Sequence, residues 1–380
     1  MADVDVTVIG GGIVGCAVAA RAASSGLSTV LLERGPLLGG GITSRNSEVV
    51  HGGMYYPADS LKARYCAPGR RRLRTFCEVN GVRYRECGKL IVAVNQMELP
   101  ELERLHDLGR VNGVEDLRLL DAAEVCSLEP DIKAVAALWS PHTAVVDAEG
   151  CARAYGQRAR AAGGQVLTGS EVCGLEPQSD GWRLDVRPAD GGPRESWRHT
   201  SRWVVNAAGL HSDEIAAMAG IDVDALGWRL RWVKGNYFAI SARHDGRVRR
   251  LIYPLPPRDG SSLGVHLCLD LAGRMRLGPD VEPLAPCCRE EDYRVDPDRV
   301  ADFFRGGRRF LPFLERGDLT PDQCGLRPRR TTWWRDGFAD FVIRREDGDL
   351  EGLINLVGIE SPGLTCASAI AEDVGAWLTE

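Results

Sequence analysis

The 380-residue chain contains no apolar run approaching the roughly 20 residues that a membrane-spanning helix requires. It also lacks a basic leader, since Met1-Ala2-Asp3 runs straight into a strand-like segment, which predicts no secretory signal. We therefore expect a cytoplasmic protein whose only contact with a membrane would be peripheral. The 53 acidic residues outnumber the 47 Lys and Arg, and the net charge of −6 argues against nucleic acid as a partner.

The twelve cysteines are scattered and form no C-x-x-C pair, and only Cys287 and Cys288 are neighbours. This pattern predicts free thiols rather than disulfides or a metal site. Hydrophobic residues at 44% and charged residues at 26% indicate a globular chain, and its length favours two structural units. Arginine supplies 43 of the 47 basic residues, a bias typical of GC-rich bacterial genomes, and the four lysines are Lys62, Lys89, Lys133 and Lys234.

The first 33 residues carry a nucleotide-binding pattern. The apolar run from Val4 to Ile9 predicts a buried parallel strand, and the turn that follows has the spacing G-x-G-x-x-G. Gly10 suits the tight turn, Gly12 a close approach to a pyrophosphate, and Gly15 close helix–strand packing. We expect a helix at 13–25, a strand at 28–32 and then an acidic residue, Glu33, that can bind a ribose. The unit predicts a bound dinucleotide, either FAD or NAD.

Three later segments resemble the D-amino-acid oxidase-like superfamily of FAD enzymes: 43–56 (TSRNSEVVHGGMYY), 204–209 (VVNAAG) and 358–365 (GIESPGLT). Within that superfamily the chain is most similar to the L-2-hydroxyglutarate dehydrogenase/oxidase group. Further likeness covers residues 87–94, 141–147, 252–254, 263–267 and 277–279. The resemblance spans most of the chain and implies FAD, held without a covalent bond.

The resemblance implies an α/β fold, α+β overall, in which a Rossmann-like FAD domain of the glutathione-reductase type carries an inserted substrate domain. The FAD domain would comprise residues 1–85, 145–215 and 335–380. The substrate domain would comprise 86–144 and 216–334 and be built on a mixed or antiparallel β-sheet. Sequence patterns predict a helix at 148–162, strands at 165–168, 172–175, 182–186, 203–206, 237–240, 251–253 and 264–270, and a turn at 254–260.

The expected cofactor-binding residues come from the glycine turn and from the three family-like segments. A polar loop can wrap a ribityl chain, and a helix that starts at a glycine can direct N–H groups and its dipole at negative charge on the reduced ring. The residues are Gly10, Gly12, Ile13, Val14, Gly15, Glu33, Arg34, Thr43, Ser44, Arg45, Asn46, Ser47, Val172, Ala208, Gly209, Arg327, Gly363, Leu364 and Thr365.

Oxidation of an alcohol or amine on a flavin needs a base for the heteroatom proton and a cation for any carboxylate. His51 and His266 lie in family-like motifs, and either could be the base; the alternation around His266 places it in a strand. Arg327, in GLRP, resembles the arginine that superfamily members place over the flavin, and its guanidinium suits a carboxylate. Further candidates for contact with substrate are Lys234, Tyr55, Tyr56 and Tyr253.

The resemblance implies oxidation of a small anionic substrate, an L-2-hydroxyglutarate-like 2-hydroxy acid, to the 2-oxo acid by hydride transfer to flavin N5. Oxygen, a quinone or a carrier protein would reoxidise the flavin. The alternatives are an amine or amino-acid oxidase, an oxidase of a larger biosynthetic intermediate, a flavin protein without turnover, and an NAD enzyme. The bulky, basic stretch from Pro328 to Trp334 departs from the family pattern, so Trp333 and Trp334 are expected to reshape or cover the pocket.

Overall fold

The computed structural model describes residues 2–191, 195–255, 264–286 and 288–380. Residues 256–260 of the predicted turn, Leu263 and Cys287 lie outside the described residues. In the described ranges the strands are β1 (Val4–Ile9), β2 (Thr29–Glu33), β3 (Val49–Val50), β4 (Tyr84–Glu86), β5 (Lys89–Ala93), β6 (Arg118–Asp121), β7 (Ala136–Ser140), β8 (Ala144–Val146), β9 (Gln165–Thr168), β10 (Ser170–Gln178), β11 (Gly181–Pro188), β12 (Trp197–Asn206), β13 (Leu230–Ile240), β14 (Leu251–Pro254), β15 (Leu267–Leu269), β16 (Met275–Leu277), β17 (Glu282–Pro283), β18 (Leu319–Arg330), β19 (Val342–Arg345) and β20 (Leu353–Val357). The helices in the same ranges are α1 (Ile13–Ser24), α2 (Leu61–Asn80), α3 (Leu99–Val111), α4 (Ala122–Leu128), α5 (Ala148–Ala161), α6 (Ser212–Met218), α7 (Val300–Arg308), α8 (Trp333–Asp336) and α9 (Gly363–Leu378).

The N-terminal strand lies inside a mostly parallel sheet. β1 pairs in parallel with β2 on one side and β12 on the other, β2 pairs with β9, and the carboxyl end of β12 pairs with β20. The strands β10, β11 and β12 form an antiparallel meander at one edge. Because β1 is flanked by strands on both sides, its last four residues, 6–9, are all buried, and the one polar side chain among them, Thr7, is hydrogen-bonded to His199 at 2.8 Å.

Helices α1, α5 and α9 cover one face of this sheet. Alanine dominates α1, and its small side chains allow the helix to pack closely against β1 and α9. Each neighbouring helix has a local start signal: the Ser60 hydroxyl accepts from Ala63 N at 3.1 Å before α2, and Asp147 accepts from Gly150 N at 2.7 Å before α5. The glycine turn between β1 and α1 is therefore held by the apolar packing of the strand and the helix that flank it.

A second, nine-stranded sheet is mainly antiparallel. Its order is β17-β13-β16-β15-β14-β5-β7-β6, with β18 on the other side of β13, and β14 and β5 form its parallel pair. Strands β3, β8 and β4 form a small third sheet, in which β8 pairs with both of the others. Gly325 of β18 approaches the loop that contains Arg45 so closely that a Cβ on Gly325 would lie 1.9 Å from the Arg45 carbonyl oxygen.

The predicted bounds of the strands and the helix in the first nucleotide-binding unit are confirmed to within one residue. The predicted α/β class and the inserted sheet are also confirmed. Several strands are longer than predicted; β13 begins at Leu230 and β10 runs from Ser170 to Gln178. The predicted strand at 264–270 is wrong at both ends, because β15 covers only Leu267–Leu269. Gly264 has a left-handed φ of 79°, and the Asp270 carboxylate accepts from two backbone N–H groups in a turn. His266 consequently lies just before the strand.

Candidate active site

A single elongated cavity of about 1750 Å³ runs from the end of β2, past the glycine turn, to the second sheet. Pockets for one small ligand usually measure roughly 300–1,000 Å³, so this volume suits a large cofactor together with a substrate. Most of the sequence-predicted site residues line it: Gly10, Gly12, Ile13, Val14, Glu33, Arg34, Thr43, Arg45, Asn46, Ser47, His51, Tyr55, Tyr56, Val172, Ala208, Gly209, Tyr253, His266, Arg327, Gly363 and Leu364.

The glycine turn leaves space on its cavity side. A Cβ on Gly12 would meet only Thr43 Oγ1, at 3.5 Å, whereas one on Gly15 would lie 1.9 Å from the Gly10 carbonyl oxygen. Gly10 has a φ of 108°, and a Cβ there would lie 2.4 Å from the Ala207 carbonyl oxygen. The turn therefore presents open backbone at Gly12 and tight helix–strand packing at Gly15, as a cofactor pyrophosphate requires.

Glu33 lies at the far end of the cavity. Its carboxylate accepts hydrogen bonds from Gly11 N and Gly35 N, both at 2.6 Å, which fixes it at the end of β2. Arg34 and Val172 line the same end. This acidic terminus beside an open glycine turn fits the ribose of a dinucleotide, and the contact itself stays a prediction.

The loop after Gly41 is held in shape by its own side chains. Asn46 donates to the carbonyls of Ile42 at 3.1 Å and Thr43 at 2.7 Å, and its own oxygen accepts from Glu48 N. The Thr43 hydroxyl accepts from Ile13 N at 3.0 Å, which joins the loop to the start of α1. Ser44 is partly buried and donates to the carbonyls of Gly40 and Gly41.

A segment of the second sheet's chain, residues 289–294, crosses beside this loop, and we call it the strap. Glu291 of the strap is ion-paired with Arg34 and lies 3.6 Å from His211. Tyr293 lies beneath the Arg45 guanidinium, 4.0 Å from guanidinium carbon to ring centroid. Glu291 also lines the cavity, so the strap contributes part of its wall.

The helix α9 begins at Gly363 and directs its N-terminus into the cavity from the opposite side. Thr365 is buried there, and its hydroxyl accepts from His51 N at 2.9 Å. This bond ties the start of α9 to the strand end that carries His51. A second helix start thus supplies N–H donors and a positive dipole next to the histidine.

His51 is buried at the end of the cavity, 9% exposed. Its Nε2 lies 3.4 Å from the Ser361 hydroxyl, and its Nδ1 has no hydrogen-bond partner among the described residues. Burial, reinforced by the charges of Lys89 and His266, lowers the pKa of His51 to about 3. The imidazole is therefore neutral at physiological pH.

His266 forms the opposite part of this wall through an aromatic stack. Its ring lies parallel to that of Tyr253, with centroids 3.7 Å apart and planes 10° from parallel. Tyr55 and Tyr56 complete the wall, and burial raises the pKa of each phenol. These hydroxyls stay protonated and are available as hydrogen-bond donors.

Four charged side chains gather at the same end of the cavity. Glu360 is buried, with Lys62 Nζ 3.1 Å from Oε1 and two guanidinium nitrogens of Arg329 at 3.0 and 3.2 Å from Oε2. Burial alone would raise the pKa of Glu360, but Lys62 and Arg329 lower it to about 2. Arg327 donates to the Asp280 carbonyl at 3.3 Å and forms no salt bridge within the described ranges. Three cations against one carboxylate leave a formal charge of +2.

The two tryptophans that depart from the family pattern have different places. Trp333 lines the cavity, and the Arg329 guanidinium lies over it, 4.4 Å from its ring centroid. Trp334 packs edge-on against Trp333 and lies beneath Arg231. Trp333 therefore forms part of the cavity wall and packs against Arg329.

Some sequence-predicted site residues lie outside the lining. Of the described residues, these are Gly15, Ser44, Lys234 and Thr365. Lys234 is buried beneath the strap, where it donates to the Arg294 carbonyl at 2.7 Å and lies 3.3 Å from Asp292. The neighbouring Gly235 lines the cavity, so strand alternation turns the lysine side chain away.

Sequence reasoning missed Lys62, Arg329, Glu360 and Ser361 as functional candidates. Glu360 and Ser361 lie inside the family-like segment 358–365. For Lys62, the scarcity of lysine in this chain is a signal that could have identified it. Lys62, Lys89 and Lys234 are at most 5% exposed, although lysine is normally a surface residue. In a chain that uses arginine almost everywhere, the retained lysines mark interior positions.

Over residues 5–377 the chain matches the family described as FAD dependent oxidoreductase, DAO. The chain belongs to this family. The mitochondrial L-2-hydroxyglutarate dehydrogenase of Arabidopsis thaliana is 34% identical over 98% of this chain and 82% of its own length. The human protein of the same name is 36% identical over 97% of this chain and 87% of its own. The FAD-bound, dithionite-reduced L-α-glycerophosphate oxidase of Mycoplasma pneumoniae superposes with a TM-score of 0.86 at 25% identity, covering 99% of this chain and 95% of that one.

Membership in the DAO family identifies the dinucleotide as FAD and the chain as an FAD-dependent oxidoreductase. The cavity fits that cofactor, with the open backbone at Gly12, the carboxylate of Glu33 and the start of α9 spread along its length. In the part of the chain that the structure describes, no helix is both long enough and apolar enough to span a bilayer. The eleven described cysteines of this oxidoreductase are free thiols.

Proposed function

We propose that this oxidoreductase converts a 2-hydroxy acid with a second anionic group, of the L-2-hydroxyglutarate type, into the 2-oxo acid. One observation carries the proposal: a neutral histidine and an excess of two positive charges meet at one end of a cofactor-sized cavity. Relatives named L-2-hydroxyglutarate dehydrogenase at 34% and 36% identity support the same substrate class.

The side chains divide the work by their chemistry. Arg327, which has no carboxylate partner in the described ranges, would bind the carboxylate next to the reacting carbon through its planar fork. His51 would take the hydroxyl proton, with His266 as the alternative base. When bound, FAD would supply the hydride acceptor. Tyr55, Tyr56 and Tyr253 would donate hydrogen bonds to substrate oxygens and exclude water.

Arg329 and Lys62 would attract the distal anionic group. Each is already paired with Glu360, so they offer one net positive charge between them, and Trp333 holds Arg329 in place. A substrate with two carboxylates would balance the formal charge of +2. A monoanionic substrate would leave one buried charge uncompensated, which is costly.

An anaerobic flavin-reduction screen tests the proposal. L-2-hydroxyglutarate should bleach the flavin at least ten-fold faster than the same hydroxy acid with its distal carboxylate amidated, because a charge-assisted contact contributes roughly 1.5–3 kcal/mol. The opposite enantiomer and a series of amines complete the screen. Bleaching by amines without bleaching by hydroxy acids would replace the proposal with an amine oxidase.

An arginine variant adds a matched control. Arg327→Ala should raise KM or the substrate dissociation constant by 10-fold or more for every carboxylate substrate while FAD stays bound. Arg335→Ala, on an exposed guanidinium paired with Asp336, should leave both unchanged. Equal effects of the two substitutions would remove Arg327 from the site.

Further properties belong to this proposal. FAD would be non-covalent and recoverable in the supernatant after acid precipitation, and oxygen, a quinone or a carrier protein would reoxidise it. The location would be the cytoplasm of a bacterium: free thiols are typical of a reducing compartment, and the arginine bias is typical of GC-rich bacterial genomes. Peripheral membrane contact would be an option for a quinone acceptor. The FAD domain would comprise 1–85, 145–215 and 335–380, and the substrate domain 86–144 and 216–334.

A further inference from the structure

Lys89 is a fully buried lysine directly behind the cavity wall. It begins β5, between Leu251 of β14 and Ser140 of β7, and is 0% exposed. Among the described residues its ammonium has no hydrogen-bond partner. The rings of Tyr55 and Tyr253 lie next to the ammonium instead, each with its centroid 4.8 Å from Nζ. Cation–π contact with two rings partly replaces the lost hydration.

Such a burial is costly and needs a reason. An ammonium without a carboxylate loses its hydration for little return, and a leucine or methionine would pack in the same space. The chain otherwise prefers arginine, with four lysines among 47 basic residues, yet it places a lysine here. The position therefore favours a compact charge that fits between two rings.

The neighbours of Lys89 connect it to the two candidate bases. Tyr253, one of its ring partners, stacks on His266, and the charge of Lys89 acts on His51. Burial lowers the pKa of Lys89 to about 8, so it stays charged at pH 7. The titratable groups around Lys89 and the two histidines are Tyr55, Cys66, Tyr253, Cys268, His51 and His266.

We propose that Lys89 is a positioning residue, whose buried charge holds the Tyr55 and Tyr253 rings, and through Tyr253 the stacked His266, in the cavity wall. Like charges disfavour each other, so a cation behind the wall opposes protonation of the imidazole. The expected benefit for catalysis rests on the proposed function, whereas the effects of the Lys89 charge on the two rings and on protonation of His51 do not depend on it.

Lysine NMR on the oxidised holoenzyme tests the buried charge without turnover. Four lysines give a simple spectrum, and the Lys89 signal is assigned by its loss in Lys89→Met. Its ammonium should titrate near pH 8, well below the value of about 10.4 that is usual for a lysine side chain in water. The near-UV circular dichroism of the tyrosines should change over the same pH range in the wild type and in neither Lys89→Met nor Lys89→Arg. A Lys89 signal that titrates at the usual lysine value instead would overturn the proposal.

Flavin-reduction rates then test the effect on the base. Lys89→Met should raise the acid limb of the pH profile by about one pH unit, because the charge opposing protonation of the histidine is gone. Lys89→Arg keeps the charge and should keep the wild-type limb. An unchanged limb in Lys89→Met overturns the proposal, and so does loss of folding or FAD in both Lys89→Met and Lys89→Gln, which would make the residue structural. If hydroxy acids never reduce the flavin while the NMR and dichroism results hold, only the proposed function fails.

Discussion

At the scale of single residues, the protonation state of His51 decides what the site can do. Its imidazole is buried near a lysine charge and a second histidine, and all three factors disfavour the imidazolium. A group whose pKa is lowered to about 3 stays unprotonated throughout the usual pH range. The low pKa reduces the stability of the folded state under acidic conditions, because the histidine can take up a proton when the chain unfolds.

Two measurements follow for His51. The rate constant for anaerobic flavin reduction should be flat between pH 5.5 and 7.5, since the base is deprotonated across this range. His51→Asn should lower that constant by roughly 100- to 10,000-fold, the usual contribution of a general base, with FAD retained. His142→Asn, at a partly exposed histidine paired with Glu86 and Asp116, serves as the control. A comparable loss in His266→Asn alone would assign the base to His266.

At the scale of elements, the turn between β1 and α1 separates two functions within six residues. Gly12 leaves room for a ligand, while Gly15 leaves room for the protein itself. Both glycines are required by space rather than by a positive φ. Their substitution should therefore affect different quantities.

Gly12→Ala should leave the free energy of unfolding of the apoprotein nearly unchanged and weaken FAD at least ten-fold, because the new methyl group would occupy the cofactor's space. Gly15→Ala should instead cost about 1–3 kcal/mol of stability, because its Cβ collides with the Gly10 carbonyl and pushes α1 from β1. Urea unfolding of the apoprotein and fluorescence titration with FAD distinguish the two. Equal destabilisation by both substitutions would contradict this division.

Elements with a local signal were predictable from the sequence. The segments Val4–Ile9 and Gln165–Thr168 were placed correctly, because an apolar run and its flanking glycines specify each one locally. The ion pair of Lys62 with Glu360 joins residues 298 positions apart, and only the folded chain brings them together. Sequence patterns did not predict that the Thr365 hydroxyl accepts a hydrogen bond from the backbone of His51, and the contact of Thr365 with the cofactor stays a prediction. Such partnerships depend on how helices dock on the sheets, which local patterns do not encode.

At the scale of the whole molecule, the strap connects the chain of the second sheet to the cofactor's loop and to Arg34. Its contacts are an ion pair, a histidine contact and a cation–π contact at one side of the cavity. The carboxylates of Glu214 and Glu291, 2.8 and 3.6 Å from the two imidazole nitrogens, outweigh burial and raise the pKa of His211. The contact of His211 with Glu291 is therefore present at low pH and is lost as the pH rises through that raised value.

FAD should consequently leave faster when the strap is weakened. Tyr293→Ala or Glu291→Gln should increase the dissociation rate of FAD about five-fold, the equivalent of roughly 1 kcal/mol. The wild type should lose FAD faster at pH 9 than at pH 6, and Glu291→Gln should reduce this difference. Asp302→Asn, at an exposed pair with Arg305, is the control. A dissociation rate independent of both pH and Tyr293 would show that the strap does not retain the cofactor.

The cavity is closed by α9, whose residues lie more than 340 positions after the glycine turn that they face. Ribosomes add roughly 5–20 residues per second, so the turn waits roughly 20–70 seconds for that helix to be synthesised. During this time the alanine face of α1 that packs against α9 is uncovered. The complete wall of the FAD cavity therefore forms only after nearly the whole chain has been synthesised. We expect FAD to bind the finished chain, so that a full-length apoprotein precedes the holoenzyme.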